Sequence, residues 1–128
     1  PPRIFRVNWF RKDEHGKFIW PGFGDNMRVL KWVVDRCDGK VGAIESPLGW
    51  LPGWEDLTWE GLDFTPEQFF HIMNIDKEVA RQETVEQEEL FTRFGDHLPR
   101  EVELERELQL ARLYHSPDVW DLARAVAR

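Results

Sequence analysis

The sequence predicts an α+β fold, in which a small N-terminal β-hairpin or sheet is followed by four to five helices. Three observations carry this reading. The run Arg3-Ile4-Phe5-Arg6-Val7-Asn8-Trp9-Phe10 is rich in β-branched and aromatic side chains that suit a pleated surface. A polar turn from Arg11 to Lys17, with Gly16 near its end, separates that run from Phe18-Ile19-Trp20, a return strand stopped by Pro21. Helix-start signals then recur at Asp25-Asn26, Thr65-Pro66, Pro99 and Ser116-Pro117.

Asp25 or Asn26 caps a first helix that runs to about Cys37. Met27, Leu30, Val33, Val34 and Cys37 form its expected buried stripe, with Arg28, Lys31 and Asp35 outside. Asp38-Gly39 ends it with a residue suited to the left-handed position. Val41 to Trp54 is dense in glycine and proline and reads as a loop with at most one short strand. Trp50, Trp54 and Trp59 fit either a carbohydrate platform or, more simply, the cover of a small apolar core. In Thr65-Pro66-Glu67-Gln68, Thr65 caps, Pro66 takes the first helical position and Gln68 completes a capping box, while Phe64 and Phe69 occupy hydrophobic-staple positions.

A longer helix over about Asp76 to Phe94 carries Ile75, Val79, Leu90 and Phe94 on one side, with Glu83, Glu86, Glu88 and Glu89 as a solvated face. The helix after Pro99 reaches about His115 and is apolar on two sides, Leu104, Leu108 and Ala111 on one and Val102, Leu110 and Leu113 on the other. That pattern predicts contact with two surfaces. A last helix is expected over Val119 to Ala127. One domain thus divides into strands and an aromatic segment (1–26), a helix with Gly/Pro/Trp-rich loops (27–64), helices (65–115) and a C-terminal extension (116–128).

At 128 residues, 41% hydrophobic and 32% charged, the composition is that of a single globular domain. No apolar run approaches the roughly 18 residues of a membrane span. The Pro1-Pro2 start suggests a processed chain or part of a longer one. Net charge is −7, yet residues 1–40 hold nine Lys/Arg against five Asp/Glu, leaving a markedly acidic remainder. This asymmetry fits an anion met at the N-terminal end, and equally a basic hairpin that happens to precede acidic helices. The single cysteine, Cys37, excludes an intrachain disulfide, fits a reducing, cytoplasmic compartment and reads as buried packing.

The richest chemistry lies between Asn8 and Asn26. Five aromatic residues (Trp9, Phe10, Phe18, Trp20, Phe23) flank a turn, and Gly22 and Gly24 bracket Phe23, so the backbone there bends sharply and approaches a ligand closely. Flat apolar faces suit a planar heterocycle, since base–aromatic stacking contributes roughly 1–3 kcal/mol per base. The same pattern also fits a hairpin whose aromatics are simply core. Elsewhere there is no Gly-x-x-x-x-Gly-Lys-Ser/Thr loop, no His-x-x-x-His or Cys-x-x-Cys pair and no serine in a nucleophile motif. The chain carries at most part of a binding site.

Asn8-Trp9-Phe10-Arg11-Lys12-Asp13, Gly16-Lys17-Phe18 and Trp20-Pro21-Gly22-Phe23-Gly24 with Asn26 resemble the guanine-binding segment of GTP-dependent phosphoenolpyruvate carboxykinases. The similarity continues through Ser46-Pro47-Leu48-Gly49 and Leu98-Pro99-Arg100-Glu101 to about Tyr114. Asp25 stands where that family often carries Glu, Ile19 where many members carry Leu, and Trp50 replaces an expected Tyr. The resemblance implies the C-terminal part of the nucleotide-binding domain of a larger, monomeric, cytoplasmic enzyme of gluconeogenesis. That enzyme converts oxaloacetate and GTP to phosphoenolpyruvate, CO2 and GDP with Mn2+ or Mg2+, through an enolate that accepts the γ-phosphoryl group. It further implies that the phosphate loop and metal ligands lie upstream of residue 1, so this chain alone is expected to be inactive, with no catalytic or metal-binding residue.

What remains on this reading is the subsite for GTP or GDP. Phe10 and Phe23 sandwich the base, Phe18 lines the edge, and backbone atoms of Phe23, Gly24 and Asp25 with the Asn26 amide bind the purine edge. Expected partners are the guanine nucleotide and the remainder of the enzyme, with no nucleic acid or membrane. The competing class is a non-enzymatic module in which the basic, aromatic N-terminus binds single-stranded nucleic acid or a protein; the overall negative charge disfavours nucleic acid.

Overall fold

The computed structural model describes residues 3–127. The helices are α1 (Asn26–Cys37), α2 (Pro66–Met73), α3 (Lys77–Phe94), α4 (Arg100–His115) and α5 (Leu122–Val126). Two short antiparallel pairs join them. β1 (Ile44–Ser46) lies against β2 (Gly49–Leu51) with Ile44 opposite Leu51, and β3 (Ile75–Asp76) lies against β4 (Val119–Trp120) with Ile75 opposite Trp120. The architecture is the α+β arrangement the pattern predicts, an N-terminal hairpin and small sheets with five helices.

The N-terminal hairpin is narrower than expected. A single bridge joins Lys12 to Phe18, and Ile19 N–H donates to Arg11 O at 3.0 Å. Asp13 folds the turn by accepting from the backbone N–H groups of His15 and Lys17, both at 2.9 Å. Residues 3–10 do not form the expected strand, because no partner strand lies alongside them. Phe5 and Trp9 instead dock singly on the core, while Ile4 and Val7 are exposed. Arg11 anchors the hairpin. Its Nη1 donates to the carbonyls of Ile72 (2.6 Å) and Asn74 (2.9 Å) at the end of α2, where backbone acceptors have no intrahelical partner and a cation is favoured. Burial lowers the Arg11 pKa from the ordinary guanidinium value.

Trp20, Trp32, Leu57, Phe64, Phe69 and Leu122 form the core, and Trp54, Trp59 and Trp120 pack against it. Trp54 and Trp59 stack at 4.1 Å with planes 8° apart, and Trp59 continues onto Phe64 at 5.6 Å and 6°. These two tryptophans are core cover, not a platform; Trp50 is exposed on β2. The segment around it is a two-stranded hairpin where the glycine and proline content suggested a loop.

Helix α1 turns a different face inward from the one its apolar residues suggest. Trp32 is buried and Val29 and Val33 pack beside it, whereas Met27, Leu30, Val34 and Cys37 are exposed. Arg28, expected outside, reaches inward: its Nε pairs with Asp25 at 2.8 Å, and its Nη atoms donate to the carbonyls of Thr58 (2.6 Å) and Glu60 (3.0 Å). One large indole and three polar bonds outweigh a stripe of smaller apolar side chains.

Helix α2 starts as its sequence directs. Gln68 N–H donates to Thr65 Oγ1 at 3.2 Å, and Thr65 N–H donates to Gln68 Oε1 at 2.8 Å, a reciprocal cap worth about 1 kcal/mol. Phe64 and Phe69, the staple pair, are both buried. Asp76 caps α3 by accepting from Val79 N–H at 2.9 Å. The face of α3 that meets α4 is polar and small, not the Val79, Leu90 and Phe94 side, which is exposed. Ala80 and Thr84 are buried there, Thr84 Oγ1 accepts from Gln109 at 2.8 Å, and Arg106 donates to Thr84 O at 3.0 Å and to Glu88 at 2.9 Å. On α4, Leu113 is buried while Leu104 and Leu108 face outward, so one of its two apolar sides has no partner among the described residues.

The C-terminal extension belongs to the core. Val119 and Trp120, expected to begin a helix, form β4 instead, because pairing with β3 satisfies their backbone. The cap is Asp121, which accepts from Ala123 N–H at 2.9 Å, and Leu122 behind it is fully buried.

Candidate functional site

Trp20, at 7% exposure, is the pivot between the hairpin and α1. Its ring meets Phe64 edge-on at 5.7 Å and Trp59 at 6.4 Å, so the residues on either side of it have a fixed base. On one side, Phe10 and Phe18 come together across the hairpin bridge at 5.9 Å and 63°, an edge-to-face pair, with Lys12 Nζ 5.1 Å from the Phe18 centroid. On the other side, Pro21 and Gly22 lead into a single 3-10 turn, Phe23–Asp25, that opens α1.

These rings are not core. Phe10 is 70% exposed, Phe18 50% and Phe23 95%. Three exposed phenylalanines within 14 residues are an informative departure from ordinary packing, whereas Trp50, Phe94 and Tyr114 are exposed singly elsewhere. Phe23 is also the one non-glycine residue with positive φ among those described, at 48°. A left-handed backbone costs an L-residue roughly 1–2 kcal/mol. Such strain persists where surrounding structure holds it, and it gathers at ligand sites. Gly22, at φ 77°, supplies the bend before it.

The polar groups beside Phe23 are already partly committed. Asp25 N–H donates to Gly22 O at 3.1 Å, and the Asp25 carboxylate is held by Arg28, so Asp25 occupies the cap position of α1 without capping through its side chain. Asn26 N–H donates back into the turn, and its Oδ1 accepts from Trp20 Nε1–H at 2.8 Å. The structure thus brings Phe10 and Phe18 into contact and places Phe23, Gly24, Asp25 and Asn26 consecutively on one turn. Among the described residues, no ring lies against Phe23. Sequence reasoning missed the parts that hold this arrangement, namely the Trp20–Asn26 bond, the Arg28–Asp25 pair and the Arg11 anchor. Only the Arg28–Asp25 spacing, three residues apart at a helix start, offered a local signal.

Two clefts open elsewhere. One, of about 480 Å3, lies between the β1–β2 hairpin and the α3–α4 pair, with Trp50, Gln87 and Arg106 in its wall. Its arginines are engaged within the protein, Arg106 with Thr84 and Glu88 and Arg112 with the Pro47 carbonyl at 3.3 Å. The other, of about 530 Å3, is a wider opening beside Pro47, Leu108 and Trp120. No group of three or more His, Cys, Asp or Glu side chains converges as a metal site among the described residues. No helix among them is long and apolar enough to cross a membrane.

The family model of the phosphoenolpyruvate carboxykinase C-terminal P-loop domain matches residues 1–112. The chain belongs to the GTP-dependent phosphoenolpyruvate carboxykinase family. It is 49% identical over 113 residues to phosphoenolpyruvate carboxykinase (GTP) of Anaeromyxobacter dehalogenans strain 2CP-1, a match covering 88% of this chain and 19% of that protein. It is 45% identical over 104 residues to the enzyme of that name from Paenarthrobacter aurescens, covering 81% and 17%, and 41% identical over 113 residues to that of Treponema pallidum strain Nichols, covering 88% and 18%. The chain therefore spans about a fifth of the length of these relatives. The family match ends within α4, before the β4–α5 extension that closes the core.

Proposed function

We propose that this chain supplies the guanine-base subsite of a GTP-dependent phosphoenolpyruvate carboxykinase, the parent converting oxaloacetate and GTP to phosphoenolpyruvate, GDP and CO2. The observation that carries the reading is Phe23, almost fully exposed on a strained, glycine-led turn, with a second exposed pair, Phe10 and Phe18, on the hairpin that precedes it. A protein gains nothing in its own core from such a residue. A base laid on the Phe23 ring removes its apolar face from water, and that burial offsets the backbone strain. Phe10 serves as the opposing face, Phe18 as the edge, and Phe23, Gly24, Asp25 and Asn26 as the polar rim.

Division of labour follows from the chemistry. Phosphoryl transfer depends on positioning and on cations that neutralise developing charge. We assign the metal-dependent steps to the remainder of the parent and not to this chain. Its contribution is selective retention of the nucleotide in residues 1–26, with 27–115 as the supporting body and 116–128 as an extension of that body. The Mn2+ or Mg2+ ligands, the catalytic groups and the cytoplasmic, gluconeogenic setting belong to the proposal for the parent.

Calorimetric titration of the chain with GDP and with ADP, each at low and high salt, tests the reading. The expected result is GDP binding that survives added salt, with ADP binding much more weakly. Stacking of one base releases few counterions, whereas several phosphate contacts make binding fall steeply with salt. Equal binding of both nucleotides that disappears in salt overturns the reading in favour of a nucleic-acid module. A folded chain that binds neither shows that these residues do not form the subsite by themselves.

A further inference from the structure

We propose that Trp20 is the positioning residue that sets guanine over adenine at this site, by locking the side-chain amide of Asn26 in one orientation. The inference rests on the guanine-subsite reading above and adds to it the origin of the selectivity.

An asparagine amide is ambiguous by itself. Its oxygen accepts, its nitrogen donates, and a half-turn about the last bond exchanges them. The bond at Trp20 removes the ambiguity. An indole N–H donates and never accepts, so the Asn26 atom lying 2.8 Å from Trp20 Nε1 has to be the oxygen. The opposite orientation sets an NH2 group against an N–H, two donors face to face, and strands a buried indole nitrogen. Trp20 does not yield to relieve that conflict, because Trp59 and Phe64 meet its ring edge-on and Trp9 lies against it at 6.4 Å and 30°. The backbone of Asn26 is fixed as well, its N–H donating into the Phe23–Asp25 turn.

With its oxygen taken, Asn26 has an NH2 group that makes no hydrogen bond among the described residues. That group stands three residues from Phe23, on the turn that carries the exposed ring. A fixed donor beside a stacked purine distinguishes the substituent at position 6. The guanine carbonyl accepts from it, whereas the adenine amine presents a second donor and is repelled. An amide free to flip satisfies either base. The buried indole converts a permissive side chain into a selective one.

The test is Trp20→Phe, which keeps an aromatic ring in the core and deletes the N–H, read as the ratio of GDP to ADP affinity by calorimetry. The expected result is a loss of about tenfold in GDP affinity, the worth of one hydrogen bond, with ADP affinity unchanged or raised. A variant that keeps the native ratio overturns the proposal. So does a parallel loss for both nucleotides, the mark of a merely structural role. Asn26→Asp provides a second reading without touching the core. Its carboxylate still accepts from Trp20 but has no donor to offer, so GDP affinity falls. If the amide oxygen were the group facing the base, the carboxylate would instead strengthen contact with the guanine N–H groups, and that increase overturns the proposal. Failure of the underlying reading appears separately, as absence of guanine preference in the native chain.

Discussion

Phe69→Ala is expected to lower the unfolding free energy by about 3–5 kcal/mol, the range for deleting a fully buried phenylalanine. Phe69 has no exposed surface, and its ring meets Trp59 at 5.4 Å, Trp54 at 5.6 Å and Phe70 at 5.9 Å, all near edge-on. Removing it empties the centre of the aromatic core and strips the stacked Trp54–Trp59 pair of its support. Phe69 is among the largest fully buried side chains of the described residues, with Leu113, Leu122 and Thr84. Domains have about 5–15 kcal/mol in hand, so a loss of this size takes most of the stability if the total lies near the lower end. Urea unfolding followed by circular dichroism measures it. A shift equivalent to less than about 1 kcal/mol is incompatible with Phe69 as the centre of the core.

Phe23→Gly is expected to do the reverse, weakening guanine-nucleotide binding while leaving the fold as stable as before or slightly more so. The lost ring is one stacking face, worth roughly 1–3 kcal/mol, which corresponds to an affinity loss of about five- to 150-fold. The ring contributes almost nothing to packing, since 95% of Phe23 is in water. Glycine adopts φ 48° without strain, recovering roughly 1–2 kcal/mol that equals or exceeds the roughly 0.5–1 kcal/mol cost of its greater entropy in the unfolded chain. Alanine is the poorer probe because it keeps the strain. Paired titration and thermal melting separate the two effects. Unchanged GDP affinity removes Phe23 from the site, and a large drop in melting temperature shows that the turn depends on the ring.

The features legible in the sequence were those decided by neighbours along the chain. The Thr65–Gln68 cap, the Phe64–Phe69 staple and the Asp76 start of α3 form because their partners lie within five residues. Decisions made by distant partners were not legible. Met27, Leu30, Val34 and Cys37 make a sound apolar stripe, yet α1 turns Trp32 inward because the carbonyls of Thr58 and Glu60 draw Arg28 to that side. Thr84 and Gln109 look like surface residues until α3 and α4 are laid together. Residues 3–10 have every propensity for a strand and no strand to pair with. At the candidate site, Phe10, Phe18, Phe23, Gly24, Asp25 and Asn26 were named through family resemblance, and the exposure of the three rings agrees with a use outside the core. The bond from Trp20 to Asn26 left no trace in the sequence, because nothing in an indole and an amide six positions apart announces that they meet.

The ladder of Trp54, Trp59 and Phe64 has an optical consequence. Chromophores stacked face to face absorb less light than the same rings held apart, for the same reason that a nucleic-acid duplex absorbs more strongly as it melts. Near-ultraviolet absorbance of the free chain therefore carries its own gauge of core integrity. The rungs of that gauge lie 4.1 and 5.6 Å apart and are almost parallel. They are distinct from the exposed phenylalanines that would meet a nucleotide, so the share of the signal that comes from this ladder speaks of the interior.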